Sequence, residues 1–131
     1  MPNMPLPHEH GQNEEAILDH MPSAEEIAGV ADAMKQLGDP SRLQIFWLLC
    51  HCEECVLNIA ALVNMTSPAV SHHLRLLKNS GLIVCRRAGK EMYYKTADTE
   101  LAQVLHHTIE TLGRITCPRA KDSQASQENT P

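Results

Sequence analysis

Between Ser23 and Leu37 the apolar residues Ile27, Val30, Ala31, Met34 and Leu37 recur at spacings of three and four, the pattern of one helical face. Ser23 with Glu26 three positions on forms a capping box, and Gly38 ends the helix. Asp39-Pro40 starts the next one, a carboxylate cap followed by a proline at the first helical position. It carries Leu43, Ile45, Phe46, Trp47, Leu48 and Leu49. A polar, cysteine-rich segment, Cys50 to Cys55, then breaks the pattern. A short helix is predicted over Val56 to Val63, a tight turn over Asn64 to Thr66, and a further helix from the cap Ser67-Pro68 to Ser80, stopped by Gly81. After Gly81 the period changes. Leu82 to Cys85 and Glu91 to Lys95 read as strands around a basic turn, Arg86 to Lys90. Asp98 is expected to cap a last helix bearing Leu101, Val104, Leu105, Thr108, Ile109 and Leu112. Two short helices across a tight turn, followed by a hairpin, predict a mostly α fold with a small β-hairpin wing, a winged helix-turn-helix. Residues 1–22, with four prolines and no sustained period, are expected to be a flexible arm, residues 23–117 the domain, and residues 118–131 a flexible polar tail.

Composition sharpens this picture. The 131 residues suit one domain, and with 43% apolar but only 3% aromatic residues its core must be aliphatic. The longest strongly apolar run, Ile45 to Cys50, is far too short to span a bilayer, and the first fifteen residues lack the apolar stretch of a secretory signal. A cytoplasmic protein without a membrane partner is expected. Five cysteines, an odd number without secretory context, point to reduced thiols.

The net charge of −5 argues against nucleic acid until its distribution is considered. Met1 to Gln36 holds seven acids and one base, whereas Ser67 to Lys95 holds six bases and one acid. Local charge decides phosphate contact. A recognition helix presents short polar side chains in its first turns and bases beyond, and its N-terminal dipole favours phosphate. Ser67, Ser71, His72 and Arg75 fit its outward face, with Val70, Leu74 and Leu77 inward. Arg75 suits a guanine edge, and Ser67 and Ser71 suit phosphates or bases. Arg86, Arg87 and Lys90 of the wing suit the backbone or minor groove. His72 and His73 point about 100° apart on a helix and cannot chelate one ion together.

The stretches Leu37-Gly38-Asp39-Pro40-Ser41-Arg42, Ser67 to Leu77, Gly81-Leu82-Ile83, Arg86 to Lys90 and Tyr93-Tyr94 resemble the ArsR/SmtB family of bacterial metal-responsive repressors, over residues 24 to about 115. The resemblance implies a homodimer joined through its first and last helices, with double-stranded operator DNA as partner.

Cys50, Cys52 and Cys55 are the leading candidates for an effector site. On one continuous helix Cys50 and Cys52 diverge by about 200°, so the three converge only if the helix ends or bends near Cys50. Three thiolates suit a soft ion: Cd(II), Pb(II), As(III), or Zn(II) with a fourth ligand. Arsenic sensors of the family carry the same C-x-C-x-x-C spacing, shifted towards the short helix. Cys55-Val56-Leu57-Asn58 matches the family's metal-sensing motif at Cys55, while Leu57 and Asn58 do not supply its usual further ligands. The family's last-helix zinc site is broken in its usual register, because Thr111 and Arg114 stand where ligands are expected. His106, His107 and Glu110 offer a displaced version, and Cys117 is a further candidate ligand. Cys85 reads as a core residue. The expected function is a homodimeric repressor that needs no cofactor for DNA binding and releases its operator on binding a thiophilic metal. The alternative is a redox sensor of the same fold acting through its thiols. A small thiol or zinc enzyme is disfavoured, since no nucleophile–base pair or catalytic metal motif stands out.

Overall fold

The computed structural model describes residues 5–114. They form α1 (Glu14–His20), α2 (Ala24–Gln36), α3 (Pro40–Leu49), β1 (Glu54–Cys55), α4 (Val56–Val63), α5 (Ser67–Asn79), β2 (Ile83–Ala88), β3 (Glu91–Thr96) and α6 (Glu100–Gly113). The chain divides into two units, the first ending at Asp32 and the second starting at Ala33.

In the first unit, α1 lies inside the segment expected to be an arm. The Asn13 side chain accepts a hydrogen bond from the Ala16 amide at 3.2 Å, and Glu14 and Glu15 occupy the first turn, where the helix dipole favours acids. Seven residues are too few for an apolar period to declare itself, and α1 buries none of them. The capping box of α2 forms in both directions: Ser23 N–H donates to Glu26 Oε1 and Glu26 N–H to Ser23 Oγ, each at 3.1 Å. Ile27 and Val30 nevertheless remain exposed, as does Met34 on the last turns of α2, which belong to the second unit.

The second unit holds the core. Ile45, Phe46 and Leu49 of α3 meet Ile59, Ala60 and Val63 of α4 and Val70, Leu74 and Leu77 of α5, closed by Leu82, Ile83, Ala97 and Ala102. Asp39 caps α3 by accepting from the Arg42 amide at 2.9 Å. Helix α4 ends on Asn64 in the left-handed region (φ 56°), which turns the chain sharply into α5. The α5 cap is Thr66, whose hydroxyl accepts from the Ala69 amide at 3.3 Å, so Ser67 sits one position inside the helix and not at its cap. Thr99, rather than Asp98, caps α6.

The wing is longer than expected. Strands β2 and β3 pair antiparallel from Ile83↔Thr96 to Ala88↔Glu91, and Gly89 supplies the positive φ (65°) that a two-residue hairpin loop needs at its first position. Arg86 and Arg87 therefore stand on β2 and not in the turn. A third strand, β1, pairs with β3 through Glu54↔Tyr94 and Cys55↔Tyr93, giving the order β1-β3-β2. Cys85 is half-buried and lies outside the core cluster. No helix among the described residues is long and apolar enough to cross a membrane.

Candidate DNA interface and metal centre

Helix α5 has two faces of opposite character. Val70, Leu74 and Leu77, spaced four and three apart, seal against the core, while Ser71, His72 and Arg75 are exposed on the far side. Ser67 is half-buried in the first turn. Arg75 Nη2 donates to His72 Nδ1 at 3.0 Å, so the two side chains are held together over one patch. His73 turns inward, where Arg42 Nε donates to its Nδ1 at 3.3 Å and Asp39 lies 3.9 Å from Nε2. Burial lowers the His73 pKa, with Asp39 acting in the opposite sense.

The three basic residues of the wing are not equivalent. Arg86 is committed within the chain: its Nη2 and Nε donate to the two carboxylate oxygens of Glu53 at 2.7 and 2.9 Å, and its guanidinium lies 5.2 Å from the Tyr93 ring centroid. This bidentate pair ties the cysteine-rich segment to β2. Arg87 and Lys90 are exposed and make no ion pair among the described residues.

Among the described residues, Cys50, Cys52 and Cys55 do not converge as a group of three ligands. Cys50 follows α3 as its cap and Cys52 lies just beyond it, with a thiol that donates to the Leu48 carbonyl at 3.5 Å. Cys55 is buried at the junction of β1 and α4. Burial, and then the nearby Glu54 carboxylate, raise the Cys52 pKa, which works against a thiolate there. Cys117 lies outside the described residues.

The group of potential ligands that does converge, among the described residues, is His51, His106 and Glu110. His51 Nε2 lies 3.1 Å from His106 Nε2 and 3.7 Å from Glu110 Oε2, and His106 Nε2 lies 3.1 Å from the same oxygen. His106 and Glu110 share a face of α6 at i, i+4, whereas His107 is rotated away and exposed. His51 stands in the turn after α3. Its ring packs against Trp47 (centroids 4.3 Å apart) and meets His106 edge-on (4.7 Å, 81°). Burial is the main reason its pKa is lowered, with His106 adding to the shift and Glu110 opposing it. Sequence reasoning selected His106 and Glu110 but missed His51, whose partner is 55 residues away. Only its place four residues after the single tryptophan, at the end of an apolar helix, hinted at a packed histidine.

Residues 39–84 match the model of the bacterial regulatory protein, arsR family. The chain is 30% identical over 112 residues to a transcriptional repressor SmtB homolog of Synechocystis sp., covering 86% of this chain and 85% of the relative. The chain belongs to the ArsR family. A cadmium resistance transcriptional regulatory protein CadC homolog of Staphylococcus aureus is 38% identical over 77 residues, covering 58% of this chain and 64% of the relative. The homodimeric winged helix-turn-helix DNA-binding domain of a possible ArsR-family regulator from Mycobacterium bovis superposes with a TM-score of 0.60 at 29% identity, over 85% of this chain and 94% of that one. The present fold is thus the winged helix-turn-helix of ArsR-family transcriptional regulators, with α4 and α5 as the helix-turn-helix and β2–β3 as the wing.

Proposed function

We propose that this ArsR-family protein is a homodimeric repressor that grips operator DNA through α5 and the wing and releases it when a metal ion binds. The observation that carries the DNA reading is the split of α5, apolar and sealed below, polar and exposed above, beside the exposed wing cations Arg87 and Lys90. In this reading Arg75 reads a base edge, Ser67, Ser71 and His72 contact phosphates or bases, and Arg87 and Lys90 neutralise phosphates. Arg86 acts mainly by holding Glu53 and contacts DNA only at the wing's edge. The protein works in the cytoplasm, where the operator is.

Dimerisation is supported by apolar side chains that the chain leaves uncovered. Ile27, Val30 and Met34 on α2 and Leu101, Val104 and Leu112 on α6 are each 44–82% exposed. The homodimeric Mycobacterium bovis domain supplies a precedent for covering them with a second copy. A metal effector is supported by the cadmium-resistance relative and by the concentration of Cys and His side chains at the end of α3. The raised Cys52 pKa works against a reactive thiolate at that position, in redox chemistry and in metal ligation alike.

The test is fluorescence anisotropy on duplex DNA selected from a randomised pool. Reduced protein should bind the selected duplex with affinity that falls steeply with salt, and Arg75→Ala should flatten the base preference. Unchanged affinity and preference in Arg75→Ala would remove α5 as the reading element.

A further inference from the structure

We infer that His51, His106 and Glu110 form a binding site for a divalent cation of borderline softness, with Zn(II) as the type ion, that clasps the turn after α3 to α6. Each of the three converging atoms can serve as a ligand: two imidazole Nε2 atoms, in the tautomer protonated on Nδ1, and one carboxylate oxygen. Zinc–nitrogen and zinc–oxygen bonds of roughly 2.0–2.1 Å in tetrahedral geometry place neighbouring ligand atoms about 3.3 Å apart. The triangle here has edges of 3.1, 3.1 and 3.7 Å, so three corners of a tetrahedron already stand in position. Two imidazoles and a carboxylate suit Zn(II), Co(II) or Ni(II) better than the soft ions that thiolates select.

The site is built rather than incidental. His106 and Glu110 are fixed by one helix turn, and His51 is wedged between Trp47 and His106. The side chains of His51, His106 and Glu110 are only 15%, 23% and 15% exposed, so an arriving ion meets preorganised ligands yet remains reachable from water. Beside His106 opens a cavity of about 160 Å³, also lined by Cys50, Thr96, Ala97, Ala102 and Gln103. It has room for a water molecule next to the His106 ring.

A consequence for DNA, which rests on the repressor reading above, follows from where His51 sits. Its segment continues through Glu53, clamped to Arg86 of the wing, and Glu54–Cys55, paired with β3. An ion joining His51 to α6 therefore ties the dimer-facing helix to the wing through contiguous bonded contacts.

The experiment uses full-length protein, chelator-stripped and reduced, titrated with Co(II) and then Zn(II). Co(II) d–d absorption, thiolate-to-metal absorption in the near ultraviolet and Trp47 emission are read together. Wild type should take up one Co(II) per chain, show d–d bands without a thiolate band, and quench Trp47; Zn(II) should displace the Co(II). Glu110→Gln, nearly isosteric, and His106→Asn should weaken binding by about 100-fold, at least what loss of a ligand's hydrogen-bond partner costs. Cys52→Ser/Cys55→Ser should bind as wild type, with far-ultraviolet circular dichroism verifying that each variant is folded. A thiolate band that vanishes in the double cysteine variant, or wild-type affinity in Glu110→Gln, would overturn the site. The same samples on fluorescent operator separate the two claims. Metal uptake through His51, His106 and Glu110 without any change in DNA affinity supports the site and refutes metal-triggered release. Release that persists at the same metal concentration in Glu110→Gln refutes the site and leaves the repressor reading standing.

Discussion

Neighbouring residues on α6 should fail in opposite ways when truncated. Val104 is 54% exposed, whereas Leu105 is half-buried and packs against the core. Val104→Ala removes two methyl groups, worth about 1.6 kcal/mol when fully buried. Roughly half of that is left for a partner to cover, about 0.8 kcal/mol per chain. A two-fold interface uses the residue twice, so the dimer should lose about 1.6 kcal/mol, a roughly 15-fold weaker association. Val104→Glu should lose more, because each carboxylate must be desolvated. Leu105→Ala should leave the association constant nearly unchanged and lower folding stability by about 2 kcal/mol, the low end for a truncated core leucine. Sedimentation equilibrium over a concentration series gives the first quantity, and urea denaturation at a fixed protein concentration the second. The reasoning is refuted if Val104→Glu and wild type dissociate over the same concentration range, or if Leu105→Ala disrupts the dimer while folding stability is untouched.

Arg87→Ala and Lys90→Ala should weaken binding to all duplexes alike and each reduce the salt slope by about one, as measured by anisotropy at several salt concentrations. The solvent-screened Glu53–Arg86 pair should show little coupling in a double-mutant thermal-denaturation cycle, despite its bidentate geometry. The pKa values of His51 and His73 are lowered from the ordinary 6.5, so the unfolded chain takes up protons before the folded one does. Stability should therefore be greatest above that value, fall as the pH drops below it, and level off beneath the lowered folded values; His73→Gln should flatten part of that slope in pH-dependent denaturation, and an unchanged slope would rule out its contribution.

The elements that were legible in the sequence are those whose signals are local. The Ser23–Glu26 box, Asp39-Pro40, the left-handed Asn64 turn and the spacing of Val70, Leu74 and Leu77 all act within one helical turn or two. Strand β1 has two residues and exists only because β3 lies beside it, so no period announces it. Arg86 read as a turn cation because its Glu53 partner is 33 residues away. The stripe on α6 was visible, but its division into core-facing Leu105 and Ile109 and uncovered Leu101, Val104 and Leu112 depends on how α6 packs. The cysteine spacing drew attention to the segment after α3. Its folding at the end of α3 brings His51, and not the three thiols, to a convergent point.

Metal-triggered release is tested most directly by one measurement: the anisotropy of a fluorescent operator bound by reduced wild-type protein, with and without saturating Zn(II). Release predicts an operator affinity lowered by roughly 5–150-fold, the range of a 1–3 kcal/mol coupling between sites, and by reciprocity an equal weakening of Zn(II) binding when operator is present. Identical operator affinity in the two conditions, with Zn(II) demonstrably bound, would contradict it.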